Sequence, residues 1–411
     1  MPSPALMHGY ESQITVLFVV MALAAWLPSL VPWLAIPAPV LELMLGILIG
    51  PHGLQLNQHM ADAQVRAAML SGSPVLTVFS TMGMAVLFMR VGFEIEPEMV
   101  RGRALKLAWW SWLVSAALAL AVAVVLVLLH GFPQPALPWL VLALSTSALG
   151  VVQPLLRDRG VLPEGFANTM VSAAVLGEVM PTLLISLVVA QADRLAWQML
   201  MILAFTVLCG ALLWLVVSYR HRWERLLERT MNSSSQLPIR LAMTLLVVMI
   251  LIGRMVEINL VLGALMTGML LRFGLNARHR QALADRMDGI GGGFLIPLFF
   301  IHSGMQLDFS LLLAQPVSVL WIPLLALVML LVRGLPLLVL HRHSLSLRSR
   351  LALALDCGTQ LPLVVAISML ALQHSALSAA QATSLVAAAV TTVMLYPALA
   401  TRLLQREVQA G

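Results

Sequence analysis

Ionisable side chains inside long apolar runs are the residues of this chain most able to do chemistry. Glu178 lies in the middle of the run 166–190, FANTMVSAAVLGEVMPTLLISLVVA. An acid at the centre of a membrane-spanning helix costs about 3 kcal/mol to insert, so a chain that keeps one has a use for it. A carboxylate in that setting can hold a proton or a cation in transit; the plainer alternative is an acid that only pins a neighbouring helix. Arg333 lies inside the run 316–341. Its guanidinium stays charged and needs acceptors. Glu178 is the natural partner and Asp356 the second, unless the side chain snorkels to the inner headgroups.

Two further stretches carry polar and helix-breaking residues at membrane depth. LPWLVLALSTSALGVVQPLL is interrupted by Ser145, Thr146, Ser147, Gly150 and Pro154, and LALALDCGTQLPLVVAISML by Asp356, Gly358, Thr359, Gln360 and Pro362. Unwound backbone inside a membrane is tolerated only where protein or a wet cavity surrounds it, and freed carbonyls and half-helix ends there can hold an ion. Hydroxyl and carbonyl oxygens near Ser145, Thr146 and Ser147, and near Gly358 and Thr359, suit hard cations. His302, in FLIPLFFIHSG, could titrate near neutral pH and act as a pH sensor, although a lone histidine in a polar bundle is ordinarily just hydrogen-bonded. Glu42, in the first turns of its run, reads as structural, and Arg90 as a snorkelling residue.

The elements that must position these groups are membrane spans. Of 411 residues, 60% are hydrophobic and 10% charged, with a mean hydropathy of +0.95. That excludes a soluble globular domain and a disordered chain. The calculated pI of about 10.3 does not indicate nucleic acid, because the basic residues sit in short loops between apolar runs. Cys209 and Cys357 fall inside apolar runs, with neither disulfide nor metal-ligand spacing. No cofactor motif or nucleophile motif appears, so an enzyme is not expected.

Hydropathy with Pro, Gly and charge punctuation predicts an all-α polytopic membrane protein of about thirteen spans, 13–31, 37–54, 73–92, 104–130, 136–156, 166–190, 196–218, 238–253, 256–272, 290–305, 316–341, 349–373 and 380–401. The first reads as a retained helix rather than a secretory signal. Nineteen of the 24 Lys and Arg residues fall in alternate loops and 3 in the opposite set, which predicts the N-terminus outside and the C-terminus inside. Charges in the long loop 219–237 would contact anionic headgroups of membrane lipid. One interrupted span in each half is the pattern of an inverted repeat, 104–190 against 316–401, with spans five and twelve crossing near the midplane beside Glu178. With 10 residues after the last span, no cytosolic nucleotide-binding domain in cis is expected.

These landmarks, in this order, resemble the monovalent cation:proton antiporter superfamily, in the branch of Kef-type potassium-efflux proteins and Nap-type sodium/proton exchangers. The resemblance rests on VLELMLGILIGPHGL, AVLFMRVGFEIEPEMVR, ALSTSALGVVQPLLRDRG, LGALMTGMLLR, FLIPLFFIHSGMQLDFSLL and DCGTQLPLVVA, and runs nearly the whole chain. It implies a homodimer in the inner (plasma) membrane, with scaffold or dimerisation helices mainly in 1–92 and 196–305 and a mobile ion-transport core mainly in 104–190 and 316–401. It implies two crossed broken helices and an acid that binds Na+ or K+ and H+ in alternation. That acid falls on Glu178 and its charge partner on Arg333. Where the family usually has Asp preceded by a polar residue, this chain has Glu178 preceded by Gly177. A single titratable acid beside a permanent cation implies one proton per cation and electroneutral exchange, a count that Asp356 could alter. A gated potassium pathway and an organic-anion/sodium symporter on a similar repeat are the rival expectations.

Overall fold

A computed structural model of the chain describes residues 15, 19–22, 37–50, 74–95, 102–129, 131–148, 165–189, 195–218, 237–256, 258–275, 277–307 and 316–408. Among them the secondary structure is helical, without strands. In chain order the helices are α1 (Ala38–Ile49), α2 (Pro74–Glu94), α3 (Gly102–Leu128), α4 (Leu137–Leu144), α5 (Phe166–Val189), α6 (Leu195–Ser218) and α7 (Leu237–Met255). They continue with α8 (Leu260–Gly274), α9 (Ala277–Ile290), α10 (Ile296–Met305), α11 (Pro316–Leu340), α12 (Leu347–Cys357), α13 (Pro362–Gln373) and α14 (Ala379–Val408). Among the described residues, eight helical segments are long and apolar enough to cross a membrane, α12 and α13 counting together as one. The first predicted span lies almost wholly outside the described residues, as do the second half of span five, with Gly150 and Pro154, and nearly all of the loop 219–237.

One expectation needs correction. The polar stretch ARHRQALADRMDGI, expected as a loop, is helix α9, and a π-helical segment, Gly291–Leu295, joins it to α10. Its Ala, Arg, Gln, Leu and Met residues are good helix formers, and that propensity outweighs the polarity that suggested a loop.

The chain divides into two compact units, Met1–Leu87 with Ala284–Val319, and Phe88–Leu283 with Leu320–Gly411. In the first, α1 and α10 meet backbone to backbone. A Cβ added to Gly46 would overlap the Ile301 carbonyl, and one on Gly304 the Leu43 carbonyl. Small residues permit such close contact, which drives helix association where lipid removes the hydrophobic incentive. His302 and Glu42 are buried on these two helices.

In the second unit α5 packs against α3, α4, α12 and α8, while α14 packs against α12 and α13. Its core gathers Phe166 and Met170 of α5, Leu337 of α11, Leu353 of α12 and Leu404 of α14. The Tyr396 hydroxyl donates to the Ala326 carbonyl at 2.7 Å, tying α14 to α11. In contrast, α6 exposes Trp197, Leu203, Val207 and Trp214, the outward apolar surface that a lipid solvent selects.

Candidate functional site

Two breaks and one proline build the site. Helix α4 stops at Leu144, and the Ser145 and Thr146 hydroxyls donate to the Leu142 and Ala143 carbonyls at 3.1 and 3.0 Å. The same two carbonyls also accept the backbone N–H of Ser145 at 3.2 Å and of Thr146 at 3.4 Å, so the hydroxyls reinforce a tightened last turn. The second break lies between α12 and α13. Gly358 closes α12 by donating its N–H to the Ala354 carbonyl at 2.9 Å, the Thr359 hydroxyl donates to the Leu355 carbonyl at 3.1 Å, and Pro362 opens α13.

The breaks are bonded to each other. Ala148 N donates to the Thr359 carbonyl at 2.9 Å, and the Ser147 hydroxyl donates to the Cys357 carbonyl at 2.6 Å. The first break is also bonded to α5, because Ser147 N donates to the Gly177 carbonyl at 3.0 Å. That carbonyl is free for a local reason: its regular helical donor would be residue 181, which is proline and has no N–H. The Thr182 hydroxyl, one residue on, donates to the Glu178 carbonyl at 2.7 Å. Pro181 therefore opens α5 at the turn carrying Gly177 and Glu178, and the first break fills the opening.

Arg333 enters from α11 and is 1% exposed. Its Nε donates to Ser147 Oγ at 2.9 Å, Nη1 to Ser115 Oγ at 3.3 Å and Nη2 to the Ala173 carbonyl at 3.0 Å. All three acceptors are neutral, and the expected ion pair with Glu178 or Asp356 is not among these bonds. The guanidinium passes over Gly177, where an added Cβ would come within 2.6 Å of Nη2 and 2.7 Å of Ser147 Oγ. Glu178 is the next residue of the same turn and is 1% exposed. Asp356, fully buried in the last turn of α12, accepts Thr359 N at its backbone carbonyl at 3.1 Å.

The structure thus gathers Ser145, Thr146, Ser147, Glu178, Arg333, Asp356, Gly358 and Thr359 on α4, α5, α11 and α12 of one unit. It leaves His302 on α10, where Nε2 lies 2.8 Å from Gln306 Nε2. Arg90 lies beside Glu94 at 3.6 Å, a partly buried pair one helical turn apart. Three participants were not foreseen as site residues. Ser115 is one of two hydroxyls in the apolar α3, Pro181 sits four residues after Gly177, and Gln360 bonds Leu144. The Gly177/Pro181 spacing was the readable signal, since a proline at i frees the carbonyl at i−4.

Chemically, a buried carboxylate next to carbonyl and hydroxyl oxygens can bind a hard cation or a proton, while the guanidinium adds a fixed positive charge that does not titrate. Among the described residues no group of three or more His, Cys, Asp or Glu could hold a metal ion.

Comparison with known proteins places the chain by family and by fold. Residues 18–406 match the model of the family described as "Sodium/hydrogen exchanger, transmembrane". The chain is 24% identical over 393 residues to "Putative Na(+)/H(+) antiporter YjbQ" of Bacillus subtilis (strain 168), covering 92% of this chain and 60% of that protein's length. It is 23% identical over 293 residues to "Na(+)/H(+) antiporter NhaS4" of Synechocystis, covering 67% of this chain and 68% of that one. The solved sodium proton antiporter MjNhaP1 of Methanocaldococcus jannaschii, at pH 8, has the same fold, with a TM-score of 0.69 at 15% identity over 97% of this chain and 99% of that chain.

Proposed function

Because the chain belongs to the sodium/hydrogen exchanger family, we propose that it exchanges a monovalent cation, Na+ or K+, for H+ by competition of the two at Glu178. It is a multi-pass membrane protein, and the plasma membrane is the site we assign to it. The observation that carries the reading is the pair of backbone bonds that seats both interrupted segments at the turn of Glu178, Ser147 N to the Gly177 carbonyl and Ala148 N to the Thr359 carbonyl.

Glu178 carries a proton one way and the cation the other, never both, and that exclusion couples the two fluxes. Burial disfavours a bare carboxylate, so the site is empty of both only at a cost. Arg333 contributes positive charge without taking up a proton, so each half-cycle moves one positive charge on one carboxylate. Exchange is then one for one and electroneutral.

Segments 104–190 and 316–401 form the moving part, and 1–92 with 196–305 the scaffold and dimer contact. Supporting this division, Ser115, Ser147, Ala173, Arg333 and Cys357, which the site's bonds join, all lie in the first set. The full topology comprises thirteen spans in inverted repeats, N-terminus outside and C-terminus inside, in a homodimer.

The test is a pH-sensitive dye in everted vesicles, with Na+, K+ and Li+ added in turn. Proton movement on addition of one of these ions supports the reading, while cation flux without proton movement would make the protein a leak and overturn it.

A further inference from the structure

Gln360 stands in the second break and is 1% exposed. Its backbone is clamped to α14, because its N–H donates to Thr392 Oγ1 at 3.0 Å and the same hydroxyl lies 3.2 Å from its carbonyl. Its side chain reaches back to the first break, where Nε2 approaches the Leu144 carbonyl at 3.4 Å. The opposite amide orientation would set two carbonyl oxygens against each other, so the nitrogen faces Leu144. The oxygen, Oε1, is consequently turned away, and it is buried without a hydrogen-bond partner among the described residues.

A buried acceptor left bare is costly, and native proteins rarely keep one without a role. Two neighbours narrow the role. Ser147 Oγ already donates to the Cys357 carbonyl at 2.6 Å and accepts from Arg333 at 2.9 Å, and a cation seated on it would face the guanidinium. Residues on either side of the Gln360 contacts belong to the crossing itself: Thr359 takes the Ala148 N–H, and Leu144 ends the helix that leads to Ser147 and so to Gly177. We propose that Gln360 Oε1 supplies a neutral oxygen to the transported alkali cation whose charge Glu178 balances. The proposal rests on the exchange reading above and adds a cation-binding residue to it. Hard monovalent ions take such oxygens, and an amide oxygen adds coordination without adding a titrating group.

Gln360→Met keeps the length and bulk of the side chain and removes the oxygen. In everted vesicles, exchange is measured across a series of Na+ and K+ concentrations. The Met variant should raise the half-saturating cation concentration about tenfold while the rate at saturating cation stays close to wild type. At a fixed low cation concentration its pH profile should move to alkaline pH, since the weaker cation loses to the proton until protons become scarce. Gln360→Glu, which keeps an oxygen there, should leave half-saturation at or below the wild-type value. An unchanged half-saturation in the Met variant, or a rate lowered equally at every cation concentration, would reduce Gln360 to a structural link or a water site and overturn the proposal. If the Met variant does not reach the membrane, the Glu variant decides, and a raised half-saturation there overturns it. Wild-type vesicles without cation-driven proton movement would instead sink the exchange reading itself.

Discussion

The Arg333 guanidinium occupies the space that a side chain at position 177 would need: a Cβ on Gly177 would lie 2.6 Å from Nη2, 2.7 Å from Ser147 Oγ and 2.9 Å from Ser147 Cβ. The arginine can swing aside, whereas the short Ser147 side chain can yield only if the break moves with it. Gly177→Ala should therefore both evict the guanidinium and displace the first break. Overpacking of this kind costs about 1–3 kcal/mol, so a lower melting temperature in detergent is expected together with a slower exchange rate. Gly177→Asn should be worse on both readouts. Wild-type stability and rate in Gly177→Ala would show that the arginine does not rest there.

Arg333 spreads its donors over Ser147, Ser115 and the Ala173 carbonyl, which lie on three different elements. Lysine cannot reproduce that planar fork. Arg333→Lys should keep the charge but lose part of the bracing, and Arg333→Ala should strand buried acceptors at about 1–3 kcal/mol. Thermal melts should therefore rank wild type above Lys and Lys above Ala, and exchange rates should follow the same order.

Pro181→Ala would return an N–H to α5 at the position that bonds the Gly177 carbonyl in a regular helix. The new donor would compete with Ser147 N, 3.0 Å from that carbonyl in the present fold. Loss of the inter-segment bond costs about 1 kcal/mol, offset by the better helix, so stability should change little while exchange slows several-fold. Initial rates in vesicles and a melting curve on the same preparation separate the two effects.

Electroneutral exchange has a direct electrical signature. On the proposed mechanism, in which Glu178 is the one exchanging acid beside a charged Arg333, an imposed membrane potential should leave the steady rate of exchange unchanged. A steady rate that varies with voltage would mean a second titrating group, for which buried Asp356 is the first candidate.

The site was partly legible because polar groups in lipid are expensive. Glu178 and Arg333 stood out by cost alone, and the two breaks by Ser, Thr, Gly and Pro in otherwise apolar runs. What the sequence could not tell was which oxygen the arginine would choose. That depends on the rotation of α11 about its own axis, and Ser115 looks like any other small residue at a helix contact. The expectation that Ser147 serves as a cation oxygen also changes weight, because its hydroxyl both donates to Cys357 and accepts from Arg333. Helix α9 was missed for a different reason: its polar, helix-forming residues satisfy two rules that point opposite ways.

Glu178→Gln tests the central claim most directly, since it keeps the size of the side chain and removes its charge and its proton exchange. Measured with a pH dye in vesicles containing protein that melts as wild type does, the variant should show no cation-driven proton movement at any pH or cation concentration. Sustained exchange in those vesicles would contradict the assignment and move the shared carboxylate elsewhere.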